Sequence, residues 1–173
     1  TFRAIDPIYT LDLHDPAHPA ITGSLNLEGY SSYLHPVAAD RLLGVGVAAN
    51  ARGQETGTQL TLFDTSGGQA RAMARLRLPD SIAEADYDPH AFLYWPPTGL
   101  TVLPIMATNA WASKVLVLTV TPSAVHQIGT VQQPGTPQIR RSLLVGGSLW
   151  TFSDRGAQAN DPATLASQAW LPY

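Results

Sequence analysis

Between Glu84 and His90 the chain reads EADYDPH, three carboxylates and an imidazole within one short stretch. These are the groups that general acid–base chemistry or a divalent metal would use. Spacing alone does not bring them together, because Pro89 marks a loop or the start of a strand and neighbouring side chains of an extended chain point apart. Glu84, Asp86, Asp88 and His90 are therefore the residues that would carry a hydrolase or lyase activity on a loop. A structural role for them is the expectation.

Three further positions attract notice as polar groups in an apolar setting. His35 in SSYLHPV, His90 in DPHAFLYW and Arg141 in IRRSLLVG each stand where a run of apolar residues begins or continues. They differ in chemistry, since neutral His donates and accepts while Arg only donates. All three are expected to open the third strand of successive repeat units, and this shared placement with unshared chemistry predicts hydrogen bonds between blades or to a turn; on this view His90→Ala lowers thermal stability.

Other motifs fall away on inspection. HDPAH spaces His14 and His18 as a helical zinc pair would, but Pro16 and Pro19 exclude the helix. SDRGAQAND lacks the alternating carboxylates and final Glu of a calcium loop. GYSSY and GGSLW do not match the strained serine turn of hydrolases, and GVGVA sits in a strand pattern instead of ahead of a helix. No cofactor and no metal are expected. Arg71, Arg75 and Arg77 alternate with Ala and Leu, which predicts the wet face of a strand. The four tryptophans, Trp95, Trp111, Trp150 and Trp170, are expected to pack within sheets.

The elements that must hold these residues are short strands. Fourteen Gly and fourteen Pro leave few windows long enough for a helix, and runs such as IYTLDL and AITGSLNL alternate apolar with polar residues. With 10 Lys and Arg against 13 Asp and Glu, the charge of -3 provides no field for a polyanion, so no nucleic-acid partner is expected. No apolar run approaches the ~20 residues of a membrane span. The absence of cysteine excludes disulfides and thiolate chemistry.

The strands recur in order. YTLDL, LTLFD and VLVLTV open successive units, with Asp12, Asp64 and Thr119 at intervals of 64−12 = 52 and 119−64 = 55 residues. A second run follows each opener (AITGSLNL, ARAMARLRL, AVHQIGTV), then a third (SYLHPV, DPHAFLYW, IRRSLLVG), then a fourth (RLLGVGV, GLTVLPIM, GSLWTFSD). A period of ~50 residues with four strands per unit is that of propeller blades. The fold expected is all-β, a β-propeller portion of four-stranded antiparallel blades. The boundaries expected are a closing strand at 1–4, where TFR matches the TFS of 151–153, then blades at 5–51, 52–111 and 112–154. Residues 155–173 would open a final shared blade, since DPATLASQAWL from Asp161 matches DPAHPAITGSL from Asp15.

On GYSSYLHPV with LLGVGV, and on EADYDPHAFLYW, the chain resembles bacterial secreted proteins with a C-terminal β-propeller domain distantly related to WD-type repeats. The Gly-His and Trp-Asp pairs of WD repeats and the double glycine of kelch blades are missing. The resemblance implies a secreted or envelope location, a leader or lipid anchor and further blades upstream, and no established catalytic residues. The function expected is a non-catalytic extracellular binding or scaffold module for an unknown protein or glycan, not an enzyme. Self-association, or pairing with missing N-terminal blades, is expected at its open strands.

Overall fold

Backbone amides in a chain so rich in Gly and Pro find partners across strands more readily than along a helix. The computed structural model describes residues 7–173, and among them no α-helix occurs. β1 (Ile8–Asp12) and β2 (Ala20–Leu25) form a two-stranded sheet. β3 (Gly29–Ala38), β4 (Arg41–Ala49), β5 (Glu55–Asp64) and β6 (Arg71–Pro79) pair in chain order. In the next sheet β7 (Ser81–Ala83) and β8 (Leu93–Trp95) share one edge of β9 (Leu100–Ala107), which continues to β10 (Ala112–Val120) and β11 (Val125–Val131). β12 (Ile139–Val145), β13 (Ser148–Ser153), β14 (Gly156–Asn160) and β15 (Ser167–Pro172) make the last. Every pairing is antiparallel.

All-β structure in four-stranded meanders is thus present, but the phase differs from expectation. The expected blade 5–51 would join β1 to β4; hydrogen bonding instead puts β3 and β4 with the next opening strand, β5. The boundaries 52–111 and 112–154 shift in the same way. Residues 155–173 do not await a shared blade, because β14 and β15 complete the sheet begun by β12. The closing strand expected at 1–4 lies outside the described residues.

The chain forms two compact units, one running to Pro79 and taking in Pro122–Ala124, the other comprising Asp80–Thr121 and Val125–Tyr173. In the first, Leu43, Val45, Leu60 and Leu62 are fully buried on β4 and β5, while β6 alternates exposed and half-buried. Arg71, Arg75 and Arg77 take its exposed positions, as the alternation predicts. In the second unit, Leu100, Val102, Val115, Val117 and Val131 of one sheet pack with Ile139 and Leu149 of the next.

The repeated aspartates have a local job. Asp12 and Asp64 each accept the backbone N–H two residues on, from His14 (2.8 Å) and Ser66 (2.9 Å), turning the chain out of the opening strand. Asp15 and Asp161, paired by the sequence match, do the same for Ala17 and Ala163, both at 3.0 Å. Asp64 also accepts from Arg41 directly across the β4–β5 ladder, at 2.7 Å.

Candidate functional site

The segment between β7 and β8 departs from the strand pattern. DPHAFLYW, expected as one strand, begins with a 3-10 turn because Asp88 and Pro89 favour one. Pro89 occupies the first turn, where no N–H is needed, and the Asp88 carboxylate accepts the His90 N–H at 3.0 Å. An earlier 3-10 turn covers Glu84–Asp86, and Ala83, Ala85 and Ala91 are buried beneath the two turns. The acidic residues are thereby lifted onto a ledge facing the start of β12.

There the carboxylates meet donors on β12 and just ahead of it. Arg141 donates from Nη2 to Asp88 Oδ2. Gln138 Nε2 donates to Glu84 Oε2 at 2.8 Å, and Arg140 Nη1 stands 3.7 Å from Glu84 Oε1. His90 adds a ring contact, Nδ1 to Asp88 Oδ1 at 3.1 Å, though its side chain is 86% exposed. Asp86 closes the first turn and is half-buried. The side-chain bond from Arg141, with the His90 N–H, holds the Asp88 carboxyl below its ordinary range.

Such an Asp88 is a poor general acid near neutral pH, because it is ionised. It is also a weak base, since both oxygens already accept strong donors. Among the described residues no group of three or more His, Asp or Glu is placed to hold a metal ion.

The framework histidines do not share a register. His35 faces Leu43, and Leu43 faces Leu62, two residues before Asp64. Two residues before Thr119 stands Val117, which faces Val102, which faces Leu93. Leu93, not His90, therefore corresponds to His35. His35 Nδ1 instead lies 2.9 Å from the Tyr33 hydroxyl, and partial burial lowers its pKa. His90 and Arg141 are related differently, as two partners of one carboxylate.

The effect expected of His90→Ala changes accordingly. Its capping bond uses the backbone N–H, which Ala retains, and its ring is exposed. We expect the substitution to cost under ~0.5 kcal/mol in a urea titration; a cost above ~1.5 kcal/mol would assign the ring a framework role.

Two tryptophans also depart from expectation. Trp111 sits at the tip of the β9–β10 hairpin, 72% exposed and with φ +48, and Trp95 is 41% exposed. Trp150 stacks on Phe152 with centroids 6.5 Å apart. Sequence reasoning missed Gln138 and Arg140; their one signal is the basic pair in QIRRS set against the acidic run of the preceding unit.

A family model described as "Beta propeller domain" matches residues 1–165. The chain belongs to the beta propeller domain family. This beta propeller chain is 37% identical over 105 residues to an uncharacterised protein of Archaeoglobus fulgidus, covering 60% of the chain and 16% of that protein. It is 26% identical over 155 residues to an uncharacterised protein of Methanocaldococcus jannaschii, covering 88% of the chain and 23% of that protein. Both relatives are archaeal, and the propeller chain spans less than a quarter of the length of either. Among solved structures it is similar to the AfRom2 CNH domain at 7% identity and a TM-score of 0.30, over 86% of this chain and 57% of that one.

Proposed function

We propose that this beta propeller chain is a non-catalytic binding or scaffold module that presents its loops to a protein or glycan. The observation that carries this is the commitment of the EADYDPH carboxylates. Glu84 accepts from Gln138, just ahead of β12, and Asp88 from Arg141 on β12, so the side chains best suited to catalysis join two meanders. Loops on a rigid sheet scaffold suit contact with partners. A place outside the cell or on its envelope follows from the resemblance of GYSSYLHPV and EADYDPHAFLYW to secreted proteins. No helix of the described residues is long and apolar enough to cross a membrane. The open strands would pair with further blades of a longer polypeptide or with a second copy.

Generic glycosidase, esterase, peptidase and polysaccharide-lyase substrates, offered to the wild type and to Asp88→Asn, test the proposal. Asn retains an oxygen to cap His90 N–H, so the variant keeps its fold. No turnover by either protein is expected. Turnover in the wild type that falls a hundredfold or more in the variant would overturn the proposal and make Glu84, Asp86, Asp88 and His90 an active site.

A further inference from the structure

One end of the second unit gathers backbone strain that its packing does not explain. The β9–β10 tip, the Asp80 link into β7, the 132–138 link into β12 and the β13–β14 tip all lie there, because Ser81 faces Ala107, Val131 faces Val115 and Ile139 faces Ser153. Hydrogen bonds tie them together: the Thr108 N–H donates to the Asp80 carbonyl at 2.8 Å, and the Ile139 N–H to Ser113 Oγ at 3.0 Å. Four non-glycine residues among the described ones have a left-handed backbone, and three of them are at this end: Asp80 (φ 52), Trp111 (φ 48) and Thr136 (φ 49). Such a backbone is costly for any residue with a Cβ, and most for a bulky one. The fourth, Leu165, lies at the opposite end and offsets the cost by packing on the core. Trp111 has no such offset, since it is 72% exposed.

We infer that this end is a glycan-binding platform on which the Trp111 ring stacks against the C–H face of a pyranose. This rests on the scaffold reading above and names its ligand class. The neighbours of the ring decide between a sugar and a protein. Asp80, Asn109, Thr136 and Arg155 are exposed, and Asp80 and Arg155 hold no ion pair among the described residues. Arg155 lies against the 132–138 link, its Nη1 3.6 Å from where a Cβ on Gly135 would stand. The centre of a protein contact is apolar and poor in charged groups. A pyranose instead offers an apolar face and a rim of hydroxyls, which takes an indole beneath it and amide, carboxylate and guanidinium groups around it. Tyr173, 78% exposed, adds a second ring at this end, its N–H donating to the Arg155 carbonyl at 3.1 Å. Rings on two successive sheets suit a chain of sugars. Equatorially linked chains fit best, because their substituents leave both ring faces clear.

The test titrates the chain calorimetrically with cellohexaose, chitohexaose, mannohexaose and xylohexaose, all equatorially linked. At least one is expected to bind with a dissociation constant below ~1 mM. Trp111→Gly should weaken that binding at least ~tenfold while holding or raising the melting temperature, because Gly takes the left-handed backbone without strain. Trp95→Phe alters an exposed ring at the opposite end of the same sheet, where Trp95 faces Leu100, and should leave the affinity unchanged. Binding of none of these ligands, binding that survives Trp111→Gly, or a melting temperature lowered by that substitution would overturn the inference. So would equal weakening by Trp95→Phe. Self-association that Trp111→Gly abolishes, without saccharide binding, would also overturn it and give the ring to a protein contact. Cleavage of a bound hexasaccharide would refute the scaffold reading and leave the glycan site standing, whereas silence toward all the ligands, with no turnover in the substrate panel, would do the reverse.

Discussion

Leu62→Ala is expected to lower the free energy of unfolding by about 2–5 kcal/mol, the range for a large aliphatic side chain removed from a packed core. Leu62 is fully buried in β5 and faces Leu43, itself fully buried, on β4. Truncation removes its dispersion contacts and leaves a void that the paired backbones on either side cannot close. The measurement is a urea titration followed by far-UV circular dichroism, which reports strands throughout the chain; all four tryptophans lie in the second unit and would report that unit alone. A change below ~1 kcal/mol would mean that β5 is not a central strand.

Gly46→Ala is expected to cost about 3 kcal/mol by the opposite route, overpacking. A Cβ at Gly46 would lie 2.2 Å from the Tyr30 carbonyl oxygen and 2.8 Å from both Ser31 Cα and Ser32 N. These are backbone atoms of β3, held by the ladder, so no side chain can turn aside to make room. Gly67→Ala is the control. Its nearest neighbour is the end of the Arg71 side chain at 3.3 Å, and we expect a change within ~0.5 kcal/mol. Equal effects at the two positions would contradict the close approach of β3 and β4.

Gly46 also shows how sequence and structure divide the information. The GVGV run reads as strand because Leu42 to Val47 otherwise offer continuous apolar character. That two of its residues must be glycine follows only from what approaches them: the Tyr30 carbonyl at Gly46, and Phe63 and Ser31 at Gly44. Period and phase part company in the same way. Self-comparison finds that Asp12, Asp64 and Thr119 are equivalent, but a repeat of four strands looks identical wherever it is cut. Only the ladder between Leu43 and Leu62 shows that the sheets start at the third strand of the repeat.

The ledge at Glu84–Ala91 was legible in composition and illegible in shape. Asp88-Pro89 carries the cap and first residue of a 3-10 turn, yet the apolar LYW that follows drew the whole run toward a strand. The partners of these carboxylates were beyond reach of pattern, because Asp88 and Arg141 are 53 positions apart and meet only once both sheets exist. Trp111 likewise looks like part of an apolar run until the hairpin turn places it in solvent.

The central claim is that the Asp88 carboxylate links two successive meanders instead of serving chemistry. A double-mutant cycle of Asp88→Asn and Arg141→Met, read as unfolding free energy against pH, tests it most directly. Asp88 has its carboxyl pKa lowered in the folded chain, first by Arg141. Its contribution is therefore complete above the ordinary carboxylate range and is lost as pH falls through that range toward the folded value. The predicted result is a favourable coupling between the two positions at pH 7 that disappears in acid, with a shallower acid limb for Asp88→Asn than for the wild type. Strictly additive substitutions at pH 7, with an unchanged acid limb, would contradict it.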